Sequence, residues 1–157
     1  MQARQIQARM AQPAFLIPEA MKAMMALGKA AHVEGVPAGL HDLLHLRVSQ
    51  INNCGVCLEM HARGALKAGE TPERLATVAG WRDTPYFTEA ERAALALAEA
   101  VTRIADKADP VSDDVWNEAA RHYDEKALAG LLLSISAINV WNRLNAATHQ
   151  VAGSLGF

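Results

Sequence analysis

"LHDLLHLRVSQINNCGVCLEMHARGALKAG", residues 40–69, holds two helical patterns separated by a pair of asparagines. Leu43, Leu44, Leu46 and Val48 give the first an apolar side, and the pattern predicts a helix from Leu40 to about Ile51. Asn52 and Asn53 are poor helix formers and mark a turn. A second helix is expected through Lys67, ending at Gly69. The stretch therefore reads as a helical hairpin. It carries both cysteines of the chain, Cys54 and Cys57, and a histidine, His61, at helical spacing.

Working outward, helix start and stop signals recur, and the alternation expected of strands is nearly absent. Pro18 opens "PEAMKAMMALGKAAHVEG", with Met21, Met24, Met25 and Leu27 on one face, a stop at Gly35 and Pro37 beyond. Thr71 caps a short helix whose first position is Pro72. "WRDTPYF", residues 81–87, reads as a loop with three aromatics. It serves either as a wall of a pocket or interface, or as packing that anchors the next helix. Thr88 and Glu91 form a capping box ahead of that helix, and Ser112 caps "DDVWNEAARHY". The last long helix is expected from Asp124 to about Thr148, apolar on more than one face, as suits a central helix or one at a subunit contact. The expectation is an all-α fold in one domain, residues 1–157.

Composition narrows the function classes. With 157 residues, 51% hydrophobic and 20% charged, the chain is long and apolar enough to bury a core without disulfides or metal. A net charge of -2 gives no basic surface for nucleic acid or anionic lipid. "MQARQIQARM" carries Arg4 and Arg9 but no apolar segment and cleavage site follow it. The apolar stretch "ALAGLLLSISAINVW" is interrupted by Ser and Asn and reads as short of a membrane span. A cytoplasmic protein without membrane or nucleic-acid partners is expected. In that reducing compartment a cysteine pair points to catalysis or metal rather than to a structural staple.

Three readings of the pair stand side by side. Cys54 and Cys57 lie one helical turn apart on one face, with His61 a further turn along. Helix-end amides stabilise a thiolate at Cys54, and His61 can exchange a proton with Cys57. That geometry suits a nucleophilic thiol, a resolving thiol and a proton carrier. A zinc site would take the same three residues, but no second CxxC or histidine pair completes it. The third reading is two small buried cysteines beside a satisfied histidine. Asp42, with His45 and Ser49 on its face, comes alongside the later turns of the second helix if the two helices are antiparallel. His41 and His45 read as surface or packing residues, as do His32, His122 and His149.

"LRVSQINNCGVCLEMHARGALKAGET", "WRDTPYFTEAERAALALAEAVT" and "ISAINVWNRLN" together resemble the alkylhydroperoxidase AhpD-like branch of the carboxymuconolactone decarboxylase family, over most of residues 40–147. Its pattern is an acidic residue, then a CxxC, then a histidine four positions on. The resemblance implies that Cys57 attacks a hydroperoxide, Cys54 resolves the sulfenic acid into a disulfide, and His61 and Asp42 relay the proton. It also ranks Cys57 above Cys54, against the helix-end argument, because His61 is one turn from Cys57 and two from Cys54. Two departures stand out. The family acid is usually glutamate, and Asp42 is about 1.5 Å shorter. Some members carry a second histidine between the cysteines, where this chain has Val56.

The resemblance further implies a homo-oligomer, a trimer or hexamer, and an external dithiol donor such as a lipoyl or thioredoxin-like protein. No nucleotide-binding fingerprint is present, so no NADH or flavin cofactor is expected. The rivals are a thiol-independent decarboxylase, as in the wider family, and a non-catalytic redox-responsive oligomer.

Overall fold

The computed structural model describes residues 5–154 and 156, so Arg4 lies outside the described residues. Eight α-helices and one short 3-10 segment are present among those residues, and no strand. After a polar N-terminal segment come α1 (Pro13–Leu16), α2 (Pro18–Ala30), α3 (Ala38–Ile51) and α4 (Gly55–Lys67). Next are α5 (Pro72–Thr77), the 3-10 segment (Val78–Asp83), α6 (Glu89–Thr102), α7 (Asp113–His122) and α8 (Glu125–Thr148).

Local chemistry sets most of these boundaries. The Thr88 hydroxyl accepts from Glu91 N–H at 3.2 Å, and the Glu91 carboxylate accepts from Thr88 N–H at 2.8 Å, closing the capping box. Asp124 caps α8 through Ala127 N–H at 2.8 Å, and Ser112 caps α7. Two boundaries differ from the sequence expectation. α2 ends at Ala30, before Gly35, which takes φ +89 in the connection to α3. "WRDTPYF" starts inside the 3-10 segment instead of being loop throughout.

α3, α6 and α8 pack on one another, with α4 against α3, α7 against α6 and α2 against α8. Leu43, Leu44 and Val48 of α3, Leu95 and Leu97 of α6, and Leu131, Ile135 and Ile138 of α8 are buried at the centre. α8 crosses so close to the connection after α2 that a Cβ on Gly130 would sit 2.5 Å from Val33 Cγ2 and 2.9 Å from the Ala31 carbonyl. Contrary to the expectation from its sequence, α8 is long and apolar enough to cross a membrane by length and composition. In this fold 56% of that apolar window is buried against the other helices.

α8 also carries a polar stripe that locks the α3–α4 turn in place. Asn52 donates to Asn139 Oδ1 at 2.9 Å and to Asn142 Oδ1 at 3.0 Å. Asn142 in turn donates to Ser49 Oγ at 3.0 Å, and Asn139 to Thr102 Oγ1 at 3.1 Å. Asn53 takes the left-handed conformation, φ 56, that asparagine tolerates in turns. The residue that follows is Cys54.

Candidate active site

Cys54 is the N-cap of α4, and its carbonyl accepts the first helical bond from Leu58 N–H at 3.0 Å. Cys57 lies three residues on, still within the first turn, so the helix end favours a thiolate at both positions. The helix-end argument for Cys54 over Cys57 therefore loses its force. The two are joined by a disulfide, and each is 2% exposed. With the disulfide formed, the two sulfurs are bonded to each other.

α3 and α4 run back against one another, and Asp42 on α3 meets His61 on α4. Asp42 Oδ1 and His61 Nδ1 are 3.3 Å apart, with side chains 31% and 13% exposed. A shorter acid than glutamate still reaches this histidine. Of the four residues singled out, Cys54 and Cys57 are bonded and Asp42 and His61 are paired.

Three further residues join the site that the sequence reading had placed elsewhere or passed over. The His45 ring stands edge-on to His61, with centroids 4.6 Å apart, and its Nε2 lies 2.8 Å from Ser134 Oγ of α8. Asn145 of α8 donates to Cys57 Sγ at 3.3 Å. Gln12, the N-cap of α1, donates to Asn145 Oδ1 at 3.2 Å and accepts from Ala14 N–H, which fixes the asparagine's orientation. The signal available in the sequence was Asn139, Asn142 and Asn145 recurring every third position within an otherwise apolar helix.

His41 shares Ser134 with His45, its Nδ1 2.8 Å from Oγ, and lies against the His32 ring at 3.9 Å. Its Nε2 is buried without a hydrogen-bond partner. Burial first, then the neighbouring His32, pushes the His41 pKa down to about 4, against an opposing pull from Asp42. Burial likewise holds His45 well below the ordinary histidine value, reinforced by His61, His41 and His32. At neutral pH both rings are uncharged. Neither is a surface residue.

The two sulfurs face different surroundings. Cys57 lines an apolar cavity of about 340 Å³ with Phe15, Met21, Met25, Met60 and Trp141. Cys54 lines a polar cavity of about 560 Å³ with Asn52, Asn53, His149 and Gln150. Asn145 contributes to both walls. No residue of "WRDTPYF" lines either one. Trp81 and Phe87 are buried instead, and Trp81 Nε1 donates to Glu99 at 3.0 Å, so the segment anchors α6.

Comparison with known proteins places the chain in a family. A model of the carboxymuconolactone decarboxylase family matches residues 18–100. YdfG of Bacillus subtilis, itself uncharacterised, is 36% identical over 139 residues, 88% of this chain and 93% of YdfG. YnjA of Escherichia coli, also uncharacterised, is 31% identical over 109 residues, 69% of this chain and 58% of YnjA. Among solved structures, a protein of unknown function from Agrobacterium tumefaciens, provisionally described as the antioxidant defence protein AhpD, superposes with a TM-score of 0.85. It shares 32% identity, over 93% of this chain and 98% of that one. The debrominase Bmp8, solved with a tribromopyrrole, gives a TM-score of 0.78 at 22% identity over 89% of this chain and 74% of its own, a likeness of fold.

Proposed function

The chain belongs to the carboxymuconolactone decarboxylase family, in its AhpD-like branch, and from that premise we propose that it is a thiol-dependent peroxidase acting on organic hydroperoxides. The observation that carries the reading is the Cys54–Cys57 disulfide with His61 one turn further along α4, paired with Asp42 of α3.

In the reduced protein, the Cys57 thiol gives its proton to His61, whose Nδ1 is held towards Asp42. Asn145 Nδ2–H and the first turn of α4 stabilise the resulting thiolate. The thiolate attacks the terminal peroxide oxygen, the O–O bond breaks, and the departing alkoxide takes the proton from His61 to leave as an alcohol. Cys57 is then a sulfenic acid. The Cys54 thiol attacks that sulfur, water leaves, and the disulfide forms. An external dithiol supplies two electrons and two protons by thiol–disulfide exchange and restores both thiols. A lipoyl or thioredoxin-like protein fits that role.

The apolar cavity at Cys57 supports a substrate with a hydrocarbon body, and the polar cavity at Cys54 suits approach of a donor. Exposed Phe15, Leu16, Ile17 and Met25, with Leu133 and Val140 on α8, support a homo-oligomer, a trimer or hexamer, and light scattering showing a monomer would remove that part. A cytoplasmic setting, with its dithiol pools, suits the cycle.

Steady-state turnover of cumene hydroperoxide with a dithiol donor tests the reading. Cys57→Ser is expected to remove turnover, and Cys54→Ser to leave at most a single oxidation per chain. A thiol-independent decarboxylase would keep its activity after both cysteines are alkylated, and that result would overturn the peroxidase. A redox-responsive protein without catalysis would cycle its disulfide with negligible turnover.

A further inference from the structure

Asp42, His45 and His61 each direct one ligand-type atom into a common space, all three within 4.8 Å of one another. Three atoms that close together leave some point within about 2.8 Å of all of them. Nitrogen and carboxylate ligands bind Zn²⁺ at roughly 2.0–2.2 Å, so an inward movement of about 0.6–0.8 Å per side chain closes the site. The 3.3 Å Asp42–His61 edge is long for a charge-assisted hydrogen bond and close to the ligand–ligand edge of a tetrahedral ion with bonds of about 2.05 Å.

The surroundings have the other parts such a site needs. Ser134 Oγ, 2.8 Å from His45 Nε2, fixes the plane of that ring from α8, the kind of outer support that ligating histidines have. A cavity of about 170 Å³ lined by Gly39, Asp42, Ala65 and Gly69 opens beside the carboxylate. Two histidines and one carboxylate leave coordination positions open for water.

We infer that Asp42, His45 and His61 form a site for a divalent transition-metal ion of the zinc class. The inference deepens the peroxidase reading and rests on it in one respect. Ion and proton relay draw on the same two residues, so the ion holds the protein in a resting state in which His61 cannot pass a proton to or from Cys57. The ligands come from α3 and α4, so occupancy also ties the two arms of the hairpin together.

The test uses untagged protein with its disulfide intact, so that neither sulfur can bind metal, and Co²⁺ as the probe. The expected result is one Co²⁺ per chain with a visible d–d band of tetrahedral or five-coordinate type, displaced by Zn²⁺. Asp42→Asn, His45→Asn and His61→Asn are each expected to weaken binding about tenfold or more. His122→Asn, which removes a surface histidine paired with Glu118, leaves it unchanged. Circular dichroism checks each variant, and if one fails to fold, the other two carry the test. Absence of the band, or binding that survives all three substitutions, overturns the site. Binding is read on the resting disulfide form, so failure here leaves the peroxidase reading standing. Failure of turnover likewise leaves the site standing.

Discussion

Two acidic residues of this fold are built into very different settings. Glu99 on α6 is 6% exposed, and its oxygens accept from Arg47 at 2.7 Å, Trp81 at 3.0 Å and Arg82 at 2.9 Å. Asp42 on α3 is part exposed and has one partner at 3.3 Å, a histidine that itself stands beside another. The first acid is saturated with donors, which occupy both of its oxygens. The second keeps spare acceptor capacity, a path to solvent and a neighbour able to change its proton count. A polar cluster that stabilises a fold has its partners complete, whereas one that does chemistry leaves something open.

The largest expected effect is on the saturated side. Glu99→Ala strands the Arg47 guanidinium in a half-buried position and leaves the Trp81 N–H unpaired, which should cost about 3–5 kcal/mol of unfolding free energy. Denaturant titration measures it, and turnover per folded molecule should stay near wild type. Equal losses in stability and specific activity would show that the contrast between the two acids is wrongly drawn.

Acid reaches both clusters, by different routes. Burial alone would raise the Glu99 pKa, but hydrogen bonds from Arg47, Trp81 and Arg82 outweigh it and hold it below 4.5. Its stabilisation is therefore present above pH 4.5 and lost as pH falls below that. His41 is depressed from 6.5 to about 4, so the unfolded chain takes up its proton first and stability declines across that window as pH falls. The decline is up to ~3 kcal/mol. Unfolding free energies measured from neutral pH down to about 4 should show this upper limb, and His41→Gln should shrink it, leaving the part due to His45, which burial also holds below the ordinary histidine value.

His61→Asn should lower kcat/KM for hydroperoxide about 10²-fold, with the melting temperature little changed, because the loss is of a proton carrier and not of packing. Asp42→Asn should cost less, since Asp42 orients and polarises the ring without touching the substrate. If both variants lost stability and kept activity, Asp42 would belong with Glu99. The smallest effect is at Asn145. Asn145→Ala should raise the Cys57 pKa by about one unit, seen as an upward shift in the pH dependence of alkylation.

Much of this was legible from local signals. The capping box at Thr88 and Glu91, the serine and aspartate caps of α7 and α8, and the Asn52–Asn53 turn each act over a few residues, which is the range a sequence pattern encodes. The spacing of Cys54, Cys57 and His61 belongs to the same class. The partners that complete the site come from far along the chain. Asn145 meets Cys57 across 88 residues, and Gln12 meets Asn145 across 133. The asparagine spacing marks a polar stripe on α8 but not its partners, because those depend on how α8 docks onto the hairpin. α8 misled for a related reason. Its high average apolarity concealed the asparagine stripe and left His45 without a visible partner, since Ser134 lies in the middle of the same apolar run.

The disulfide closes a ring of only four residues, Cys54 to Cys57. Loop-closure entropy grows with the length of chain enclosed, and so short a ring restricts the unfolded ensemble by about 2 kcal/mol, against ~4.7 kcal/mol for a hundred-residue loop. The bond is made and broken within the first turn of one helix, whose backbone bonds do not depend on it. Each oxidation and reduction therefore shifts the stability of the fold by about 2 kcal/mol, less than half of what a hundred-residue loop would give.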